Sequence, residues 1–95
     1  MPPVVRKTDN CSGHGCFPPR PSVIWSPNVF ANGLEVERQT DALDSHCCGV
    51  CHDSIWVGKS SVYVNGKPIQ VIGSPIACGS KGNVGSPNVF ANLGG

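Results

Sequence analysis

Ser26-Pro27-Asn28-Val29-Phe30-Ala31-Asn32-Gly33 comes back sixty residues later as Ser86-Pro87-Asn88-Val89-Phe90-Ala91-Asn92-Leu93, with seven of the eight positions identical. Between the two lies a weaker copy, Gly58-Lys59-Ser60-Ser61-Val62-Tyr63-Val64-Asn65-Gly66, whose Val-aromatic-small-Asn core aligns with the third. A recurring unit of this kind is one supersecondary piece that cannot bury its apolar face alone, so the three copies must pack together. Within each, the Val-aromatic-small tripeptide suits a strand, and Asn32-Gly33 and Asn65-Gly66 are the dipeptides that type I′ hairpin turns prefer. Leu34-Glu35-Val36-Glu37-Arg38 and Lys67-Pro68-Ile69-Gln70-Val71-Ile72-Gly73 alternate apolar and polar residues as return strands do. The third copy is expected to lack a return strand, because the sequence stops at Gly95. The pattern predicts an all-β fold of three pseudo-threefold-related β-hairpin units about a common axis, forming one domain over residues 1–95.

Composition agrees with strands and turns. Twelve Gly and nine Pro in 95 residues leave little room for a helix of several turns. Seven basic against six acidic side chains give a net charge of +1, which supplies no field for tracking a phosphate backbone, so no nucleic-acid partner is expected. No apolar run approaches the length needed to cross a bilayer, and Met1-Pro2-Pro3-Val4-Val5-Arg6-Lys7 lacks the apolar core of a signal peptide. The chain is therefore expected to begin in cytoplasm, where six cysteines stay reduced and point to metal before disulfides. Were they to pair, roughly 15 connectivities would be open and the sequence would not choose among them.

A core this small needs a staple. The three histidines fall in turn-like segments between or before the repeats: His14 in Cys11-Ser12-Gly13-His14-Gly15-Cys16, and His46 and His52 around Cys47-Cys48-Gly49-Val50-Cys51. Cys78, in Ile76-Ala77-Cys78-Gly79, occupies the equivalent stretch before the third repeat. Zinc takes four nitrogen or sulfur ligands in a tetrahedron, and ligands drawn from three linkers would tie the hairpins at one point. On spacing alone Cys11, Cys16, Cys47, Cys48 and Cys51 also qualify, and Cys48-x-x-Cys51 is a zinc half-site; cysteines that bind no metal are read as small buried hydrophobes.

Taken in order, His14-Gly15, the strand Ser26 to Gly33, the segment His46 to His52, Gly58 to Pro68, Cys78-Gly79 and Gly85 to Phe90 resemble the PAAR-repeat family, which sharpens the spikes of type VI secretion systems and contractile phage tails. The resemblance spans nearly the whole chain. Departures are the absent Pro-Ala-Ala-Arg string, replaced by Pro68-Ile69-Gln70-Val71, Leu34-Glu35-Val36 where Lys-Pro is usual, and Ser60-Ser61 in place of Pro-Asn. What the resemblance implies is a small cone of β-hairpins with one structural Zn2+ near its point, bound by His14, His46, His52 and Cys78, and a base seated on the end of a homotrimeric β-helical spike. It further implies a tip that acts mechanically on the target cell envelope, without turnover and without a small-molecule substrate. Val23, Ile24, Trp25, Ile55, Trp56 and Leu93 are candidates for the apolar base.

Some relatives of this kind carry toxin domains beyond the cone, and the short chain without such an extension suggests a virion location at a phage tail baseplate, the alternative being bacterial cytoplasm followed by secretion on a type VI spike. Two other classes compete. A zinc-dependent hydrolase would need an open ligand position and a base such as Asp44 or Asp53. A cysteine-rich binding module would be stapled by disulfides.

Overall fold

The Asn-Gly turns form as their residue types require. In the computed structural model, which describes residues 1–93, Asn32 and Gly33 have φ of 55° and 77°, and Asn65 and Gly66 have 53° and 78°. Two successive positive φ values define the type I′ turn, whose twist matches that of the strands it joins. They connect β1 (Phe30–Ala31) to β2 (Leu34–Glu35) and, in the second unit, β5 (Tyr63–Val64) to β6 (Lys67–Pro68). Between these lies a longer hairpin, β3 (Ala42–Cys48) against β4 (Val50–Ile55), so the described residues form three two-stranded antiparallel sheets and no helix.

The third repeat does have a partner, contrary to the expectation from sequence. Its strand is completed by the N-terminal segment: Pro3 bridges Phe90, the Val4 amide donates to the Val89 carbonyl at 2.9 Å, and the Ala91 amide donates to Pro2 at 3.1 Å. Val36 donates to Val29 and Ile69 to Val62 in the same way, at 3.0 and 2.9 Å. Val4, Val36 and Ile69 are thus equivalent residues of three equivalent strands.

Two rings of backbone hydrogen bonds run around the three strands, the first of them closed residue to residue. The amide of Val5 donates to Gln70, that of Gln70 to Glu37, and that of Glu37 back to Val5, each at 3.0 Å. One turn further on, Lys7 donates to Glu35, Gln39 to Pro68 and Ile72 to Pro3. Each strand therefore satisfies its inner edge on the next and leaves no open inner edge. Side chains repeat the cycle at the hairpin tips. Asn65 accepts the Ser26 hydroxyl and donates to Asn28, Asn32 accepts Ser86 and donates to Asn88, and Asn92 accepts Ser60 and Ser61. The hydroxyls of Ser26, Ser60 and Ser86 also accept backbone amides of their own strands, so that Ser60, set against proline in the sequence alignment, takes the part of the serine that begins the other two repeats.

Below the rings each strand enters a matching turn. Asp9 accepts the Arg6 amide and guanidinium, Asp41 does the same for Arg38, and Ser74 accepts the Val71 amide. The residue before the acceptor has positive φ in each case: Thr8 at 101°, Thr40 at 74° and Gly73 at 91°. Only the third carries the residue that adopts such φ without strain.

Inside the ring Val4, Ala31, Val36, Val64, Ile69, Val71 and Ala91 form one apolar cluster; Val5, Cys11, Leu43, Trp56 and Ile76 form a second, against which Cys78 packs. Trp56, expected at an exposed base, is fully buried here, its indole N–H donating to Ser22 at 2.9 Å. The molecule measures 36 × 24 × 23 Å.

Candidate metal centre

The segment expected to be a loop around His46 and His52 is the longest hairpin among the described residues, with the two histidines directly paired across it. Cys47 pairs with Cys51 in the next register, on the opposite face, while Cys48 shares the face of His46. His14 arrives on a separate tight turn in which its amide donates to the Phe17 carbonyl at 3.1 Å and its carbonyl accepts the Phe17 amide at 2.9 Å. A Cβ on Gly13, whose φ is 72°, would fall 2.5 Å from the Phe17 carbonyl, so this turn closes only on glycine. Cys78 follows Ala77, whose amide donates to Ile55 at 3.1 Å, and its own amide donates to the Ser54 hydroxyl at 2.9 Å; both bonds fix it beside β4.

These three segments bring His14, His46, His52 and Cys78 together with all four donor atoms within 4.8 Å of one another. The Nε2 atom of His14 is 3.2 Å from those of both His46 and His52, the latter two are 2.7 Å apart, and Cys78 Sγ is 3.9 Å from His46 Nε2. Bond lengths of about 2.0–2.1 Å to nitrogen and 2.3 Å to sulfur give tetrahedral edges of roughly 3.3 and 3.6 Å, so the set has the dimensions a zinc-sized ion requires. The other imidazole nitrogen of His46, Nδ1, lies 2.9 Å from the Pro18 carbonyl and donates to it. That leaves the Nε2 lone pair aimed at the centre, the usual arrangement of a ligating histidine. Converging lone pairs repel unless a cation sits among them. Desolvation, with the nearby His46 and His52, holds the His14 imidazole below its ordinary value and so favours the neutral form that binds metal.

Phe17 was not singled out in the sequence. Its ring lies 4.8 Å from the His14 ring, 4.9 Å from His46 and 4.3 Å from His52, covering all three imidazoles with an apolar lid. Its place in Cys16-Phe17-Pro18, just after a His-Gly turn, was the available signal. Asp44 and Asp53, weighed as bases for a hydrolase, do not belong to the donor cluster; Asp53 accepts the Ser45 hydroxyl across the hairpin.

The cysteines divide differently from the expectation that all stay reduced. Cys16 is joined to Cys48 and Cys47 to Cys51 as disulfides, whereas Cys11 and Cys78 are free. Cys11 is the buried apolar filler that the sequence reading assigned to cysteines outside the metal set. The physical reason for the pairing is register: the hairpin places Cys47 opposite Cys51, and the His14 turn brings Cys16 onto Cys48.

A family model described as the PAAR motif matches residues 18–81, which include His46, His52 and Cys78 and begin four residues after His14. Two curated relatives, an NAD(P)(+) glycohydrolase toxin and a (p)ppApp synthetase toxin from two strains of Pseudomonas aeruginosa, are each 32% identical to the chain over 71 residues. The match covers 66% of this chain and 16% of each toxin, so the chain spans only a small part of the relatives' length.

Proposed function

The chain belongs to the PAAR-motif family, and from this premise we propose that it caps and sharpens the end of a trimeric β-helical spike in a contractile injection machine, acting as a structural tip that helps pierce the target envelope. The observation that carries this reading is the closed backbone ring of Val5, Gln70 and Glu37, through which one chain presents three equivalent strands to a partner of threefold symmetry. On the strands paired with these three, Phe30, Tyr63 and Phe90 stand at equivalent positions and are 50–63% exposed. Three threefold-related aromatics suit an interface core better than the set read from sequence, of which Trp56 is inaccessible. Both relatives being bacterial toxins favours a type VI secretion spike over a phage tail baseplate.

In this reading residues 1–95 act as one unit, and His14, His46, His52 and Cys78 hold a single structural zinc. The ion supplies rigidity at the point; Phe17 excludes water from the imidazoles, and the Pro18 carbonyl fixes the His46 tautomer. Four protein ligands leave no position for substrate, which supports a structural role over a hydrolytic one. The catalytic activities in the relatives' names belong to those proteins.

Co-purification with a trimeric spike protein tests the proposal. Phe30→Asp, Tyr63→Asp and Phe90→Asp in combination should abolish co-migration while metal content stays at one ion per chain. Retained co-migration would overturn the assigned face, and wild-type protein that never co-migrates would overturn the capping role.

A further inference from the structure

We propose that Cys16 and Cys48 form a reversible redox latch that holds the His14 turn against the hairpin carrying His46 and His52. The inference rests on the metal reading above only for what the latch retains. Backbone hydrogen bonds of the His14 turn run within the turn itself, between His14 and Phe17. Among the described residues, the polar contacts from residues 14–19 to β3 are side-chain ones, His46 Nδ1–H donating to the Pro18 carbonyl and His14 Nε2 facing His46 Nε2, supplemented by the packing of Phe17. Backbone and guanidinium bonds to β3 begin only at Arg20 and Pro21, which hold Ser45 and Asp44. The turn is therefore anchored at its two flanks, Ser12 to Lys81 and Pro21 to Asp44, while its tip at residues 14–17 has no backbone hydrogen bond to the hairpin among the described residues.

The disulfide supplies the missing attachment at a telling place. Cys16 lies two residues beyond His14, Cys48 lies two residues beyond His46, and Cys48 shares the ligand face of its strand. With the bond closed, an imidazole of His14 that lets go of an ion stays within a few ångströms and rebinds; with it open, the turn can swing into solvent. Cys16 is exposed and Cys48 half-buried, so the pair is accessible to thiol reagents. The other disulfide serves as an internal control: Cys47–Cys51, with a sequence separation of 4, closes the hairpin turn on the opposite face and does not reach the His14 turn.

Closure needs an oxidant, and a small-molecule disulfide such as glutathione disulfide has the right chemistry. The Cys16 thiolate attacks it, one glutathione leaves as a thiol, and the Cys48 thiolate displaces the second, so that two protein thiols become one S–S bond while one external S–S bond becomes two thiols. In a reducing cell the latch stands open and the ion exchanges; in an oxidising compartment it closes and the ion is retained.

The test compares wild type, Cys16→Ser with Cys48→Ser, and Cys47→Ser with Cys51→Ser, each loaded with zinc and equilibrated in reduced or oxidised glutathione. Alkylation under denaturing conditions followed by mass spectrometry should find Cys16 and Cys48 protected only in the oxidised buffer. Zinc release to a chromogenic chelator should be at least about tenfold slower from oxidised than from reduced wild type, as expected when a detached ligand is held at high effective concentration. The Cys47/Cys51 variant should keep that difference and the Cys16/Cys48 variant should lose it, releasing zinc at the reduced rate in both buffers. Free thiols at Cys16 and Cys48 in oxidised glutathione, or equal release rates from the two wild-type forms, would overturn the latch. If no form binds zinc, the metal reading fails separately; amide exchange of residues 14–17 then decides, and must slow on oxidation in wild type but not in the Cys16/Cys48 variant.

Discussion

The hairpin ring and the metal-site end solve the same problem with opposite means. In the ring, every important contact is made three times: the Val5, Gln70 and Glu37 amides, the serines that begin the repeats, and the turns behind Arg6, Arg38 and Val71. At the other end nothing repeats. Three segments of unlike shape, a tight turn, a hairpin and the stretch around Cys78, contribute unlike donors to one point. Loss of one hydrogen bond in the ring leaves related bonds in place, whereas loss of one side chain from the cluster removes one of its four donors.

That contrast predicts its largest effect at the ligands. Chelation, or His46→Ala, should remove one equivalent of zinc by elemental analysis and destabilise the chain strongly, since a structural zinc contributes on the order of 10–16 kcal/mol of apparent binding free energy. Amide exchange should rise first in residues 13–19 and in β3–β4, with the Val5, Glu37 and Gln70 amides failing last. Uniform loss of protection would show that the two ends are not separable.

The next effect sits where the ring breaks its own symmetry. Gln70 satisfies its amide on both backbone groups of Gly58, at 3.1 Å each, but its equivalent Glu37 is fully buried and neither carboxyl oxygen has a hydrogen-bond partner. Burial pushes that carboxyl up to about 8, with Asp41 and Asp9 adding to the rise and Ser22 and Arg38 opposing it; the Ser22 hydroxyl exerts its pull without reaching hydrogen-bond geometry. The folded chain therefore keeps a proton that the unfolded chain releases near 4.5. The stability this provides is complete below that pH and is lost as pH rises towards 8, by about 1.4 kcal/mol per unit. Glu37→Gln should flatten this slope in denaturant titrations between pH 5 and 8 and raise stability most at pH 8. An unchanged slope would mean that the carboxyl is ionised within the fold.

The smallest effect tests the turns. Thr40 holds a φ of 74° that its equivalent Gly73 adopts freely. Thr40→Gly should raise the unfolding free energy by about 0.5–1 kcal/mol, because relief of left-handed strain exceeds the added freedom of the unfolded chain. A loss of stability would show that the exposed threonine side chain makes contacts worth more than the strain.

How much was legible follows from the range of each interaction. The Asn32-Gly33 and Asn65-Gly66 hairpins were readable because both partners of each strand pair lie within a few residues. Arg6-Lys7-Thr8-Asp9 and Arg38-Gln39-Thr40-Asp41 are a second repeat, as visible as the first, and they mark the N-terminal segment as the missing strand of the third unit. The β3–β4 hairpin escaped notice because Asp44-Ser45-His46-Cys47-Cys48 carries no apolar alternation; its inward face is built from donors and cysteines. The burial of Trp56 was equally hidden, since a tryptophan beside Ile55 and Val57 reads alike as core or as interface.

By itself the sequence determined the hairpin repeat, the family and the candidate donors His14, His46, His52 and Cys78, because turn chemistry and ligand chemistry reside in residue types. Only the tertiary structure decided that the N-terminal segment completes the third unit, which cysteines pair, and that Phe17 covers the imidazoles. Each of these joins groups distant along the chain, and such proximity is fixed by the closure of the whole fold, which no local pattern encodes.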